Sequence, residues 1–170
     1  MRLEKAIGYL LISAGLGIFI PYTILTLTFN YPQILRERTE TILTSFHEGG
    51  IPLILTWLAF ALFGILFLAA YSFLGQRLEQ KKPGMKWVTT IGIASVFMQM
   101  IGLLRWVFVV PFLANEFVSS SSPAHREAVI LSFKVIHQFA GVLMGEHLGQ
   151  LFTVIWTVFV SLDFFEIEDH

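Results

Sequence analysis

Four long apolar stretches dominate the sequence and restrict the chain to a membrane-spanning fold. They cover residues 6–29, 51–74, 88–113 and 133–162, and each can cross a hydrocarbon core of about 30 Å, which needs about 20 residues of α-helix. Hydrophobic residues make up 55% of the chain and charged residues only 14%, a composition too apolar for a soluble domain. We therefore expect an all-α integral membrane bundle of four transmembrane helices, in a single domain over residues 1–170.

The composition excludes several classes of function. The formal net charge is −1 and the basic residues are dispersed, unlike the concentrated positive surface of a nucleic-acid-binding protein. We therefore expect no nucleic-acid partner. The chain has no cysteine, which excludes disulfides, thiolate metal sites and a cysteine nucleophile. The first apolar stretch begins like a signal peptide but is longer than the apolar region of one, so we interpret it as a retained span.

Residues 31–48, between the first two stretches, combine apolar positions at roughly helical spacing with charged positions on the remaining face. This pattern is typical of a short helix lying at the membrane interface. A loop helix that caps the bundle is an equal alternative. The apolar positions are Ile34, Leu35, Ile42, Leu43 and Phe46.

Prolines and one serine mark the helix boundaries. Pro21 lies inside the first stretch and predicts a kink. Pro52 lies near the start of the second stretch, where proline is well tolerated. Ser122 before Pro123 predicts an N-cap with proline at the first helical position. The helical pattern that follows continues to Leu162, so the fourth helix should be about twice as long as a membrane requires.

The distribution of lysine and arginine predicts the orientation of the chain. Short loops rich in these residues stay in the cytoplasm, so we expect a cell-membrane protein with both termini cytoplasmic. The opposite side carries fewer basic residues, namely Arg36, Arg38, Arg126 and Lys134. The basic residues assigned to the cytoplasmic side are Arg2, Lys5, Arg77, Lys81, Lys82 and Lys86.

Arg105 and Glu146 place opposite charges inside the third and fourth stretches. A charge near the bilayer centre costs about 2.5–3.5 kcal/mol on insertion scales, so such residues usually face protein or water. We expect the two to meet as a buried pair, which is either a structural ion pair or a ligand or proton site. Gln99, Gln138 and Gln150 would line the same polar site.

Small residues recur on both helices that carry these charges. Gly92, Ser95, Gln99, Gly102 and Arg105 follow at steps of three and four residues on the third stretch, which makes one helical stripe. We expect this stripe to face the fourth helix, where small residues four positions apart allow close helix packing. The packing residues predicted there are Gly141, Gly145 and Gly149.

Histidines are the remaining candidate ligands. His147 lies beside Glu146 and is either a hydrogen-bonded interior histidine or part of the polar site. His47, His125 and His137 are weak candidates for a zinc site on the outer side, because no metal-ligand spacing connects them. No motif of a hydrolase, nucleotide-binding protein or zinc peptidase occurs in the sequence, so the cofactor stays unknown and an enzyme is disfavoured.

The sequence carries the motifs Tyr31-Pro32 with Ile34-Leu35, Trp57, Gly102-Leu103-Leu104-Arg105-Trp106-Val107-Phe108, Pro111-Phe112-Leu113-Ala114, Gly145-Glu146-His147-Leu148-Gly149 and Trp156. Together they resemble a bacterial multi-pass membrane family known only as a domain of unknown function. The resemblance covers most of the chain from Tyr31 to Trp156 and implies no activity, because none is established for the family. Members of that family look longer, with a further pair of spans after the position that matches Trp156.

Three functional hypotheses follow. The first is a non-enzymatic accessory or lipid- or ligand-binding bundle, with Arg105 and Glu146 as its polar site. The second is a small proton-coupled transporter that uses Glu146 as its protonatable group. The third and weakest is a haem or metal-binding membrane protein. A haem held by His137 and His147 would need two copies of the chain, because both histidines lie on one helix. Membrane lipids are the expected partners, and a homodimer or larger membrane complex stays open.

Overall fold

The computed structural model describes residues 2–168, and the side chains of residues 5–80, 82 and 84–163 within them. The described chain is all-α, with no strand between residues 2 and 168, which confirms the predicted fold class. Four helical segments are long and apolar enough to cross a membrane, namely Lys5–Phe29, Thr39–Gln80, Lys86–Ser119 and Pro123–Asp163. We refer to them as the first to fourth spans.

The spans are built from seven α-helices and a π-helix within the described residues. The first span contains α1 (Arg2–Gly17) and α2 (Phe19–Phe29), and α3 (Thr39–Lys81) contains the second. Short 3₁₀-helices at Gln33–Arg36 and Pro83–Met85 precede α3 and the third span. The later elements are α4 (Lys86–Phe108), α5 (Val110–Ser119), α6 (Pro123–Ile136), the π-helix (His137–Leu148) and α7 (Gly149–Glu168).

Prolines explain the breaks in the first and third spans. Pro21 has no N–H to donate to the carbonyl of Gly17, so the hydrogen-bond ladder is interrupted where α1 gives way to α2. Pro111 has the same effect between α4 and α5, where Val109 departs from ideal helical angles with φ −108°. The third span nevertheless continues past the predicted end at Leu113 and reaches Ser119.

Gly50 separates two parts of α3. Its φ of 55° and ψ of −149° lie outside the helical region, in a conformation that side chains with a Cβ rarely adopt. Pro52 follows as a residue of the first turn of the apolar part. The helix of residues 39–49 and the membrane-spanning helix of residues 51–81 thus meet at a fixed bend.

The segment predicted at residues 31–48 packs against the bundle with its apolar face. It consists of the 3₁₀-helix Gln33–Arg36 and the first turns of α3. Ile42, Leu43 and Phe46 are at most 3% exposed, because they contact apolar residues of the first, second and third spans. This burial favours the alternative in which the segment caps the bundle.

The spans pack in sequence order, each against its neighbour in the chain. Among the described residues the first and fourth spans share no extended interface, so the bundle is open on one side. Two apolar clusters occupy its two ends. The Trp57 cluster is formed mainly by Leu25, Phe29, Phe46, Trp57, Trp106, Val110 and Phe133. The Trp156 cluster is formed by Ala70, Tyr71, Leu78, Met85, Val88, Val96, Trp156 and Val160.

The fourth span begins as predicted but contains an unexpected change of helix type. The Ser122 hydroxyl accepts a hydrogen bond from the backbone N–H of His125 at 3.4 Å, with Pro123 at the first helical position. From His137 to Leu148 the chain forms a π-helix, a rare form with hydrogen bonds between residues five apart that is frequent at functional sites. Successive side chains are rotated there by less than the α-helical angle of about 100°.

Candidate functional site

A cavity of about 240 Å³, lined by apolar residues and several polar ones, lies between the two apolar clusters. Its walls come from the 3₁₀ segment and all four spans. The cavity is bounded by Ile18 of the first span on one side and by the π-helix of the fourth span on the other. No extended interface between these two spans closes the cavity in the described chain. We call it the inner cavity, and its polar residues are Tyr31, Gln99, Arg105, Glu146 and Gln150.

Arg105 forms the buried wall of the inner cavity. The residue is only 8% exposed. One terminal nitrogen donates to the carbonyl of Gly102, the other lies 3.3 Å from Nδ1 of His137, and the guanidinium carbon lies 5.1 Å from the Trp106 ring centre. Nε is buried without a hydrogen-bond partner in the described part of the chain. The guanidinium is thus held in place by neutral groups, and its charge is not neutralised by them.

Glu146 lies in the same cavity on its open side. The residue is exposed, as is Gln150 one turn further along the span. No ion pair within 4 Å joins Arg105 to Glu146 among the residues that the structure describes. Arg105 and Glu146 were predicted to form a buried pair. In the structure they face one cavity without direct contact.

Tyr31 precedes the 3₁₀-helix Gln33–Arg36 and lines the inner cavity together with Arg105 and Glu146. Burial raises the pKa of its phenol above the usual 10.0, the Glu146 carboxylate raises it further, and the Arg105 guanidinium lowers it. The phenol consequently stays neutral at physiological pH. It contributes a hydroxyl that can both donate and accept a hydrogen bond, and Tyr31 lines the cavity with both charged residues.

Glycines of the fourth span allow the third span to approach closely. A Cβ built on Gly102 would lie 2.9 Å from Cα of Gly145, so two backbones are in contact at this point. A Cβ on Gly141 would lie 2.6 Å from the guanidinium carbon of Arg105, and Gly141 therefore provides the space that the guanidinium occupies. A Cβ on Gly149 would overlap Gln99.

Gln99 is held by the fourth span. Its side-chain amide donates to the Thr153 hydroxyl at 2.9 Å and more weakly to the Gly149 carbonyl at 3.5 Å. The predicted stripe of small and polar residues on the third span therefore contacts the fourth span at several levels. The contact nearest the start of the third span is at Gly92, where an added Cβ would overlap the Trp156 ring.

An apolar cavity of about 250 Å³ adjoins the inner cavity. It extends toward the Trp156 cluster, and Tyr71 and Thr153 supply hydroxyl groups to a wall that is otherwise mostly apolar. The two cavities together resemble a site for a molecule with one polar and one apolar part. Their shared lining residues are Ile18, Phe60, Gln99 and Leu103.

Gln138 and His137 line a different depression. A groove of about 800 Å³ lies between the 3₁₀ segment with the start of α3 and the fourth span. We call it the side groove. Gln138 was predicted to lie with Glu146, but the structure places it in this groove. His137 lines the groove as well and contacts Arg105, so this residue pair lies between the groove and the inner cavity.

The remaining histidines are apart from the inner cavity. His147 is exposed, and its Nδ1 donates to the Val142 carbonyl at 2.8 Å. His125 lies 3.0 Å from the Glu116 carboxylate. Among the described side chains no group of three histidine or acidic residues is arranged to hold a metal ion. His47, His125 and His137 are therefore not assembled into the zinc site considered from the sequence.

Comparison with known families gives a match over nearly the whole chain. Residues 6–166 match the family model described as Domain of unknown function (DUF4386). The chain belongs to the DUF4386 family. Comparison with curated proteins and with solved structures finds no match. Membership in DUF4386 agrees with the resemblance recognised in the sequence, and the function must be inferred from the geometry of this family member itself.

Three features of the site were not predicted from the sequence. Tyr31 and Trp57 line the inner cavity, although they were noted only as family motifs. The contact between Arg105 and His137 was missed because an α-helical fourth span places His137 at the outer end. The aromatic residue next to a proline in Tyr31-Pro32 was the one signal in the sequence for a residue of the cavity wall.

Proposed function

We propose that this protein is a non-enzymatic membrane bundle that binds an amphipathic molecule of the lipid class. The polar group of the ligand would occupy the inner cavity and its apolar part the adjoining apolar cavity. One observation carries the proposal: a cavity with a buried arginine and an exposed glutamate shares four wall residues with a mostly apolar cavity. Ligand sites are typically concave and mostly apolar, with a few convergent polar groups.

The open side of the bundle supports this proposal. A lipid-like molecule moves within the bilayer plane, so it needs an opening between spans and no opening to water. The inner cavity lies between the first and fourth spans, which lack an extended interface in the described residues. The exposed carboxylate of Glu146 would otherwise face hydrocarbon, which is costly for a charged group.

The two aromatic clusters favour binding over passage through the protein. The Trp57 cluster fills one end of the bundle and the Trp156 cluster the other. A proton-coupled carrier with Glu146 as its protonatable group stays the alternative. It would require a path past one of these clusters, where Trp57 and Trp106 stack with their ring centres 4.9 Å apart.

We also propose that the end of the bundle near Lys82 faces the cytoplasm. Most basic residues of the chain belong to this end, and such residues are retained on the cytoplasmic side. Lys82 lies 3.7 Å from the buried Asp163 carboxylate, which joins the loop between the second and third spans to the end of the fourth. A homodimer or larger membrane complex stays a prediction.

The proposal is tested by closing the junction between the two cavities. Leu103→Trp places a larger ring where the cavities share their wall. The neighbouring Leu104→Trp is the matched control, because Leu104 is also half-buried and lines neither cavity. Native mass spectrometry of detergent-purified protein would record bound lipids and other amphipathic molecules.

We expect the wild type and Leu104→Trp to retain an amphipathic molecule, and Leu103→Trp to lose at least about nine-tenths of it, as a weakening of affinity by ten- to a hundredfold implies. A wild type that carries no such molecule, even in lipid nanodiscs, would refute the proposal. Equal retention by the two variants would place the bound molecule outside the cavities and would refute it as well.

A further inference from the structure

We propose that the inner cavity selects a zwitterion, with a carboxylate or phosphate group of the ligand at Arg105 and an ammonium group at Glu146. This inference rests on the proposed function and adds the chemical class of the polar group. It derives from the observation that two opposite charges line one cavity and are not paired with each other.

Arg105 has no anion in direct contact among the described residues. The residue is 8% exposed, and its two terminal nitrogens contact a carbonyl and an imidazole, both neutral acceptors. A buried charge that is not compensated is strongly destabilising. An anionic group of the ligand would supply this compensation from inside the cavity.

Arg105 cannot readily move toward Glu146 to provide that compensation within the chain. The guanidinium fills the space above Gly141, where even a Cβ would approach to 2.6 Å. It is also held by Gly102 and His137 and lies against the Trp106 ring. The position of the Arg105 guanidinium is therefore set by packing, at a distance beyond direct contact with Glu146.

Glu146 excludes a ligand that is only anionic. Its carboxylate accepts no hydrogen bond and makes no ion pair among the described residues, yet it faces the same cavity. An anion alone would bring a second negative charge next to it, and like charges brought together repel each other. A cation alone would meet the same difficulty at Arg105. A ligand with both charges satisfies both residues.

Headgroup competition tests this inference. Delipidated protein is placed in nanodiscs that contain equal amounts of phosphatidylethanolamine, which is zwitterionic, and phosphatidylglycerol, which is anionic. The ratio of the two lipids that remain bound is measured by native mass spectrometry. Because both lipids are compared within one sample, a variant that is partly unfolded loses both and leaves the ratio unchanged.

We expect the wild type to retain phosphatidylethanolamine over phosphatidylglycerol by about tenfold, which corresponds to one well-placed ionic contact. Glu146→Gln should remove or reverse this preference, because the ammonium loses its partner and the repulsion of an anionic headgroup disappears. Arg105→Gln should weaken the retention of both lipids. Glu116→Gln, which alters a carboxylate near His125 and outside the inner cavity, should keep the wild-type ratio.

A free zwitterion is distinguished from a lipid headgroup by adding glycerophosphoethanolamine to the delipidated protein in detergent. Binding that depends on Glu146 assigns the site to a free zwitterion, whereas retention of the lipid alone assigns it to a headgroup. If the wild type shows no preference, or Glu146→Gln keeps the wild-type ratio, the inference is wrong. The proposed function then survives, provided that Leu103→Trp still releases the bound lipid.

Discussion

Nη2 of Arg105 on the third span lies 3.3 Å from Nδ1 of His137 at the start of the π-helix. An arginine has no acceptor, so the arginine N–H donates and the unprotonated imidazole nitrogen accepts. This contact lies where the inner cavity and the side groove approach each other. It links the only arginine of the third span to the segment in which the fourth span changes its helix type.

The first prediction concerns this acceptor. His137→Ala leaves an N–H of the buried Arg105 without a partner, which should lower the free energy of unfolding by about 1–3 kcal/mol. His137→Asn places an amide oxygen near the position of Nδ1 and should recover about half of the loss, as expected for a neutral acceptor. Reversible unfolding by SDS in mixed micelles measures both. His47→Ala, at an exposed position, is the control, and an equal loss in all three variants would contradict the proposed contact.

A second prediction concerns the contact between the third and fourth spans. The Cβ added by Gly102→Ala would lie 2.9 Å from Cα of Gly145, and the Cβ added by Gly145→Ala would lie 3.2 Å from Cα of Gly102. Both contacts are with backbone, which cannot move aside as a flexible side chain can. We expect each to lose about 1–3 kcal/mol of stability. Gly8→Ala and Gly15→Ala are matched controls, because a Cβ at either position has no atom within 4 Å. These should be neutral or gain up to about 1 kcal/mol from helix propensity.

A third prediction concerns the stacked indoles. The rings of Trp57 and Trp106 are 4.9 Å apart and within 10° of parallel, so their electronic transitions should couple and produce a paired circular-dichroism band. Trp57→Phe and Trp106→Phe should each abolish the same band, because the band needs both rings. The double variant should show no further loss, since the effects of substitutions at residues in contact do not add. Trp87→Phe should leave the band intact, because Trp87 contacts Phe159 at the other end of the bundle.

A fourth prediction is a pH dependence at Tyr31. Burial raises the pKa of this phenol above 10.0 in the folded protein, with a further contribution from Glu146. The unfolded chain then releases the phenolic proton at a lower pH than the folded chain does. Stability should therefore fall as the pH rises above 10, and Tyr31→Phe should reduce this fall.

Absorbance at 295 nm, compared between the wild type and Tyr31→Phe, isolates the titration of this one tyrosine. Glu146→Gln should lower the pKa of Tyr31 toward 10.0, because it removes a neighbouring negative charge. A titration of Tyr31 that is the same with and without the Glu146 carboxylate would show that the two groups are too far apart to share a ligand.

The number and order of the spans could be predicted from the sequence, because hydrophobic stretches of sufficient length have few alternatives in a bilayer. The N-cap at Ser122 and the kink at Pro21 were predicted for equally local reasons, since each depends on one residue and its immediate neighbours. The stripe from Gly92 to Arg105 could be predicted to face the fourth helix, because small and polar residues rarely face lipid.

The detailed arrangement of the polar residues could not be predicted, because it depends on how the helices pack. The sequence grouped Gln138 with Glu146 on one broad face of the fourth helix, whereas the structure places Gln138 in the side groove. The π-helix at His137–Leu148 was not predicted either. For the bend at Gly50, the sequence shows only two glycines shortly before a proline, and this pattern does not give the direction of the bend.

The packing of the spans in sequence order has a consequence for biosynthesis. As the chain leaves the translocon, the first two spans can assemble at once, because neither needs a later segment to cover a charge. The third span brings Arg105, which costs about 2.5–3.5 kcal/mol at the bilayer centre while it is exposed. Its covering groups, His137 and Gly141, arrive only with the fourth span. The last two spans should therefore be held beside the translocon and released into lipid together, as one helical hairpin.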